Sequence, residues 1–361
     1  MGYVELTPHD LLKLGFDAPE VTDGAWHVDW APVAGQEPQL PDVVDFHTSG
    51  STGPRQTWRR TGEQLWTEAG ILAGLFPQRP DAVVSFVPPV HVYGALATVL
   101  VPARLGVPCW YRKSFFGAMP ATGGRRIVVA ATPWIFTLLL QHLDWVRSHE
   151  QVTVLHSSAM LPATAGDLLA QAGNAGVVEI LGSTEAGGIA TRSWRGGDPP
   201  PWTLFPDVTW AARPGPDAGE VPLVVRSPRL AHRPGAARPE VWHTDDHVEP
   251  VDERTFRFAG RRNRLVKVNG RRINLDEVEQ QLRPRLDTED LAVVPVADPM
   301  IGEHLDLLLV LRPGTTLADL DLVAVNALIG VRPRKVRVLP RIARSETGKV
   351  SRIQADDTMQ R

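Results

Sequence analysis

Between about residues 42 and 195, apolar positions fall into two alternating patterns. Short β-branched runs end in small residues or proline: DAVVSFVPP at 81–89, RRIVVAATP at 125–133 and QVTVLHSSA at 151–159. Runs of that length and composition suit strands buried on both faces. Between them lie stretches with apolar residues three or four apart, such as EQLWTEAGILAGLF at 63–76, which give a helix one apolar face. Strand–helix alternation predicts a largely parallel sheet with helices packed on its faces. Ligands of such sheets gather beyond the carboxyl ends of the strands. Several polar, hydroxyl-rich segments of this chain follow directly on the strand-like runs.

The pattern changes at 196–240, where GGDPPPW, ARPGPDAGE and AHRPGAARPE surround one strand-like run, VPLVVRSP. Proline and glycine at that density predict loops and short antiparallel strands, a small β-subdomain. The last hundred residues read as a compact α+β unit. It comprises strand FRFAG, hairpin RLVKVNGRRIN, helix LDEVEQQLRP, strands LAVVPVAD and LDLLLVLRP, helix LADLDLVAVNALIG and strand VRVLP. Asn269-Gly270 is a strong two-residue hairpin signal.

Composition narrows the function classes. A formal net charge of −3 over 361 residues excludes a chain that binds nucleic acid through its overall charge. The charge is uneven: residues 260–361 hold 18 Lys/Arg against 14 Asp/Glu, leaving 20 against 27 for the remainder. A mildly basic end suits an acidic partner or simply a solvated surface. One cysteine, Cys109, excludes an internal disulfide and a cysteine-based zinc site. With acidic Glu5 and Asp10 near the start, and no apolar run of the roughly 18–20 residues that span a bilayer, the expectation is a cytoplasmic protein without a membrane span.

Five blocks carry candidate chemistry. After DVVDF and His47 comes Thr48-Ser49-Gly50-Ser51-Thr52-Gly53. Glycines let backbone amides approach a phosphate and hydroxyls add donors, although an ordinary solvated turn has the same composition. Gly182-Ser183-Thr184-Glu185 follows the run VVEIL, and Thr244-Asp245-Asp246 follows a Pro-rich loop. GRRNRLVKVNGRRI opens at Gly260-Arg261, and Thr347-Gly348-Lys349 stands near the end. His91 in PVHVYG and Ser158 in LHSSAMLP complete the set. Each has a plain alternative on its own: a core histidine, an acidic turn, a solvated lysine.

Together and in this order, the blocks resemble the adenylate-forming superfamily of acyl- and aryl-CoA synthetases, peptide-synthetase adenylation domains and luciferases. The resemblance covers about 42–352 and implies an α/β fold. A large N-terminal core over 1–259, with a mostly parallel sheet and a small β-subdomain, precedes a mobile α+β domain over 260–361. It implies ATP and Mg²⁺, with Thr48 to Gly53, Ser158, Gly182, Ser183, Asp246 and Arg261 on the nucleotide. Thr184 takes the α-phosphate region, Glu185 the metal, Asp246 the ribose hydroxyls, and Lys349 the carboxylate and α-phosphate during adenylation. His91 holds the position that gates the path from acyl carboxylate to thiol, and Asn263 the hinge where aspartate is usual.

The implied reaction converts a carboxylic acid, aromatic or acyl, to its adenylate and passes it to the phosphopantetheine thiol of CoA or an acyl carrier protein. The basic residues Arg332, Arg334, Lys335, Arg337, Arg341 and Arg344 suit an acidic carrier. The stretch GSTEAGGIATRSW is similar to short acyl- or aryl-acid synthetases of bacterial aryl-polyene pigment pathways. Departures from the pattern are a loop that continues Pro54-Arg55 without lysine, Leu181 where an aromatic residue stacks on adenine, Asp245 in place of glycine, and only 47 residues before the phosphate loop. The last implies an N-terminally short member whose first core subdomain, which usually completes the acyl pocket, is mostly absent or supplied otherwise, by a second chain in a homodimer for instance. Alternatives are a ligase that uses an amine acceptor and a non-catalytic nucleotide- or acyl-binding relative.

Overall fold

The structure is a computed structural model that describes residues 2–48, 56–115, 117–162, 164–215, 219–261, 264–268, 271–283, 285–298, 302–330, 332–343 and 350. The strand-like runs fold as Ala82–Ser85, Arg126–Ala131 and Gln151–His156, joined by Cys109–Arg112 and Ala175–Ser183. These five lie side by side in parallel, in the order 109–112, 82–85, 126–131, 151–156, 175–183. Strands Ala25–Val28 and Val4–Leu6 extend that edge. The predicted helix forms as Gly62–Ala73. Its first turn is closed by a capping box in which the Thr61 hydroxyl accepts the Gln64 N–H and the Gln64 side chain accepts the Thr61 N–H.

The small β-subdomain is continuous with this sheet. After Ser183 the chain reverses and Gly187–Trp194 pairs antiparallel with 175–183. Its free edge then takes Trp202–Leu204, and Thr255–Arg261, Trp242–Pro250, Val221–Arg226 and Thr209–Trp210 follow outward, all antiparallel. These strands form one mixed sheet of 13, mostly parallel in one half and antiparallel in the other. A strand with unpaired amides and carbonyls is satisfied by any neighbour of matching register, so the Pro-rich segment extends the core sheet. A separate hairpin, Val43–His47 with Thr57–Thr61, bears the 48–56 loop.

Apolar cores partition along the chain. Two clusters bury residues from Leu11 to Phe256 on either face of the large sheet. Two others, from Val266 to Ile342, belong to the C-terminal elements. There, Leu265–Val268 and Arg271–Asn274 pair antiparallel with Val268 opposite Arg271; Asn269 and Gly270 lie outside the described residues. Helix Leu275–Leu282 packs against Thr288–Asp298, which pairs with Gly302–Leu311; Val336–Val338 adds in parallel. Asn274 links the two sets of elements. Its side-chain carbonyl caps the helix by accepting the Asp276 N–H at 3.1 Å, and its amide donates to the Ala259 carbonyl at 3.1 Å.

Candidate functional site

The parallel strands end on one edge of the sheet, and most of the predicted site residues follow those ends. Beyond Ala82–Ser85 the chain runs through Pro88 and Pro89 to His91, which is half-buried and precedes the turn Val92–Gly94. A Cβ on Gly94 would lie 1.9 Å from the Pro88 carbonyl oxygen, so the tight return of this segment requires glycine. The Tyr93 hydroxyl donates to the Leu155 carbonyl at 2.6 Å. That bond fastens the His91 segment to the strand that leads into Ser158.

Ser158 has φ of 78°, making it the non-glycine residue with a positive φ among those described. An L-residue is strained there by steric contact of its Cβ. The backbone is held by its neighbours: the Ser157 hydroxyl donates to the Ile180 carbonyl at 2.9 Å, joining the segment to the end of the next strand.

At that end, Ser183 and Gly187 face each other across an antiparallel pair, with Thr184, Glu185 and Ala186 in the turn. The Ser183 hydroxyl accepts the Ala186 N–H at 3.1 Å and so shapes the turn from inside. Gly182 is demanded by packing, because a Cβ would lie 2.3 Å from the Gly187 carbonyl oxygen. Leu181 is buried in the apolar core. The phosphate-loop hairpin reaches the same region through Arg60, which donates to the Thr184 carbonyl from two nitrogens, each at 3.4 Å. Thr48, half-buried, closes the neck of that loop. Its N–H donates to the Gln56 carbonyl at 3.0 Å, and its hydroxyl accepts the Gln56 N–H at 3.2 Å. Ser49, Gly50, Ser51, Thr52 and Gly53 lie outside the described residues.

Asp246 and Arg261 are brought together in the antiparallel half of the sheet. They are directly opposite in paired strands, and Arg261 Nε donates to Asp246 Oδ1 at 3.2 Å. The Thr244 hydroxyl accepts the Asp246 N–H and donates to the Leu223 carbonyl, which fixes the strand beneath the carboxylate. Asp245 is exposed while Asp246 is buried, as strand alternation requires. The extra carboxylate therefore points away from its neighbour's side. Lys349 and Asn263 lie outside the described residues.

Two charged groups of the interior escaped the sequence patterns. Arg60, Glu68 and Arg229 are all buried and ion-paired through Glu68, at 3.1 Å to Arg60 and 3.0 Å to Arg229; Asp207 holds Arg229 at 2.7 Å. Burial pushes the Arg60 guanidinium down. The same burial acts on Arg229, but Glu68 and Asp207 outweigh it and hold that group above its ordinary value. The available signal was a charge on an apolar stripe: Glu68 shares the helix face of Leu65, Ala69 and Leu72, all buried.

The second group is His156 with Glu179 and Arg192. Burial drives His156 down to about 3, with Arg192 adding to the effect. Burial also raises the Glu179 carboxyl, against the Arg192 guanidinium 2.5 Å away. The imidazole is therefore neutral and serves as packing below the Ser157–Ser158 segment, with its ring edge-on to Phe136.

Among the described residues no group of three or more His, Cys, Asp or Glu is arranged to hold a metal. Glu185 is half-buried in its turn. Among the described residues no helix is long and apolar enough to cross a membrane.

No family model matches the chain. It is 28% identical over 256 residues to a 4-coumarate–CoA ligase of Rhodobacter capsulatus, a match covering 69% of this chain and 59% of that enzyme. The chain thus spans about three fifths of the length of the curated relatives it matches. Its structure superposes on ATP-bound MatB from Rhodopseudomonas palustris with a TM-score of 0.69 at 20% identity, covering 88% of this chain and 68% of that one. The chain has the adenylate-forming fold. The same fold is shared by the amide bond synthetase McbA from Marinactinospora thermotolerans, with a TM-score of 0.67 at 18% identity, covering 90% of this chain and 71% of that one. On that fold the Thr184–Glu185 turn follows the last parallel strand, and the Asp246–Arg261 pair lies in the antiparallel strands of the same sheet.

Proposed function

We propose that this chain activates a carboxylic acid with ATP and passes the acyl group to the thiol of CoA. The observation that carries the reading is the Thr184–Glu185 turn, tied through Arg60 to the hairpin of the 48–56 loop, on the adenylate-forming fold. Attack of the substrate carboxylate on the α-phosphorus forms the acyl-adenylate and releases pyrophosphate. Attack of the thiol on the acyl carbon then releases AMP.

In this reading the amides and hydroxyls of Thr48 to Gly53 cradle phosphates and Ser158 and Ser183 shape the nucleotide pocket wall with Gly182. Asp246 accepts the ribose hydroxyls, and Arg261 orients that carboxylate from 3.2 Å. Thr184 contacts the α-phosphate region, and Lys349 neutralises charge between carboxylate and α-phosphate. Mg²⁺ held by Glu185 would offset the charge on the polyphosphate. His91 borders the path from acyl group to thiol. Residues 1–259 and 260–361 act as two bodies, and rotation near Asn263 exchanges Lys349 for a thiol-accepting arrangement.

Support for the acid and the acceptor comes from the relative's activity: 4-coumarate is an aromatic acid and CoA its acceptor. Two members of the basic run are already engaged, because Arg334 and Arg337 face the buried Asp306 at 3.3 and 3.8 Å. That engagement lessens the case for an acidic carrier protein drawn from the basic run. The test is pyrophosphate release with MgATP across aromatic and fatty acids, beside Lys349→Ala. Acid-dependent release abolished by the substitution supports the reading; a folded protein that releases none with any acid refutes it. An amide in place of a thioester in the acceptor screen would move the second step to an amine.

A further inference from the structure

The buried charge cluster between the hairpin, the Thr184–Gly188 turn and the 228–232 loop is larger than stability alone explains. Arg60, Glu68 and Arg229 are 0%, 2% and 1% exposed. A buried ion cluster is weak evidence of stabilisation, since apolar residues of similar volume serve that purpose as well or better. Directed bonds are what apolar residues cannot supply, and here they converge on one turn. Arg60 donates to the Thr184 carbonyl, Glu68 Oε1 accepts the Gly188 N–H at 2.6 Å, and Arg229 donates to the Gly188 carbonyl at 2.8 Å. The Glu185 carbonyl accepts the Ala231 N–H at 2.8 Å.

The turn is built to receive them. A Cβ on Gly187 would meet Glu68 Oε2 at 2.6 Å and Arg60 Nη2 at 2.8 Å; Gly187 also has φ of 73°. Neighbouring residues of the hairpin and helix hold the 228–232 loop. Gln64 donates to the carbonyls of Pro228 and Leu230 at 2.9 and 3.2 Å. Arg59 and His232 exchange backbone hydrogen bonds at 2.7 and 3.1 Å. Arg60 is on the strand that leaves the 48–56 loop, four residues past its Gln56 neck.

We propose that Arg60, Glu68 and Arg229 are positioning residues that lock the Thr184–Glu185 turn to the strands of the Val43–His47/Thr57–Thr61 hairpin, so that Glu185 meets a nucleotide-borne Mg²⁺ in a fixed position. The inference rests on the acid-activation reading for the identity of the nucleotide. Glu68→Gln keeps an acceptor for the Gly188 N–H but removes the charge that holds two guanidinium groups. Arg60→Lys keeps a cation and loses the fork that spans Glu68 and the Thr184 carbonyl.

The test is isothermal titration of ATP into wild type, Glu68→Gln and Arg60→Lys, with and without Mg²⁺, beside thermal unfolding of each. In wild type, Mg²⁺ tightens ATP binding. In the variants the Kd for MgATP rises about tenfold or more, the Kd for metal-free ATP changes less than about threefold, and the Mg²⁺ gain shrinks toward unity. Partial misfolding would lower the binding stoichiometry and leave Kd and its Mg²⁺ gain intact. A folded Glu68→Gln or Arg60→Lys with the wild-type Mg²⁺ gain overturns the positioning role and leaves acid activation standing. Wild type that binds no MgATP overturns both.

Discussion

Gly182→Ala tests the claim that close backbone approach, and not ligand contact alone, dictates glycine in the turn. The new Cβ would sit 2.3 Å from the Gly187 carbonyl oxygen, 2.9 Å from its carbon and 3.0 Å from the Gly188 Cα. All three are backbone atoms, so the clash is relieved only if the strands part by about 1 Å. Overpacking costs about 1–3 kcal/mol. A weakened hydrogen bond between strands 175–183 and 187–194 adds about 1 kcal/mol. A loss of about 3 kcal/mol lowers the Tm of a domain this size by roughly 6–12 °C. Gly166→Ala is the opposite control. Gly166 is exposed within helix Thr164–Ala172 with nothing within 4 Å of a Cβ, so alanine should stabilise by about 0.5–1 kcal/mol. Scanning calorimetry of both variants reads the signs directly. A Gly182→Ala protein that melts at or above wild type, or two shifts of the same sign, refutes the steric argument.

Two further outcomes follow from strained and buried groups. Ser158→Gly should raise the urea midpoint by the equivalent of about 1 kcal/mol, because glycine adopts φ of 78° without Cβ strain; a lower midpoint would show that the serine side chain is worth more than the strain it brings. His156, at about 3 folded against 6.5 unfolded, binds its proton better in the unfolded chain. Its contribution is intact above pH 6.5 and is lost as pH falls below it, by about 1.4 kcal/mol per unit. Glu179, raised on folding, acts oppositely: its contribution is present in acid and lost as pH rises through its folded value. Comparing wild type with His156→Gln isolates the histidine. The wild type should lose about 2 kcal/mol more than the variant between pH 7 and 5 in denaturant titrations, and parallel curves would refute a neutral buried imidazole.

The parts of the fold most legible in the sequence were those with short-range causes. Val83, Val128 and Val152 mark strands because β-branched runs of that length suit a sheet covered on both faces, and Thr61 with Gln64 marks the start of a helix through its own hydrogen bonds. The antiparallel pairing of Leu265–Val268 with Arg271–Asn274 was legible for the same reason, while Asn269 and Gly270 themselves lie outside the described residues. The blocks at 182–185 and 244–246 were visible as motifs, and the structure sets one in a turn and the other in a strand of the same sheet. Asp245 and Asp246 are adjacent in the chain, yet only the pleat decides that one is exposed and the other meets Arg261.

Sequence pattern alone determined the strand–helix order, the glycine and hydroxyl content of the turns, and the order of blocks that points to an adenylate-forming fold. Those are properties of neighbours along the chain, or of residue types. Tertiary structure decided what depends on distant partners. It made the Pro-rich segment an extension of the core sheet, through the free edge of Gly187–Trp194. It also turned Arg60, Glu68 and Arg229, separated by up to about 170 residues, into one cluster around the Thr184–Gly188 turn. A charged residue reads as surface until folding removes it from water. Burial then forces it to find partners, and where those partners lie is a property of the packed chain.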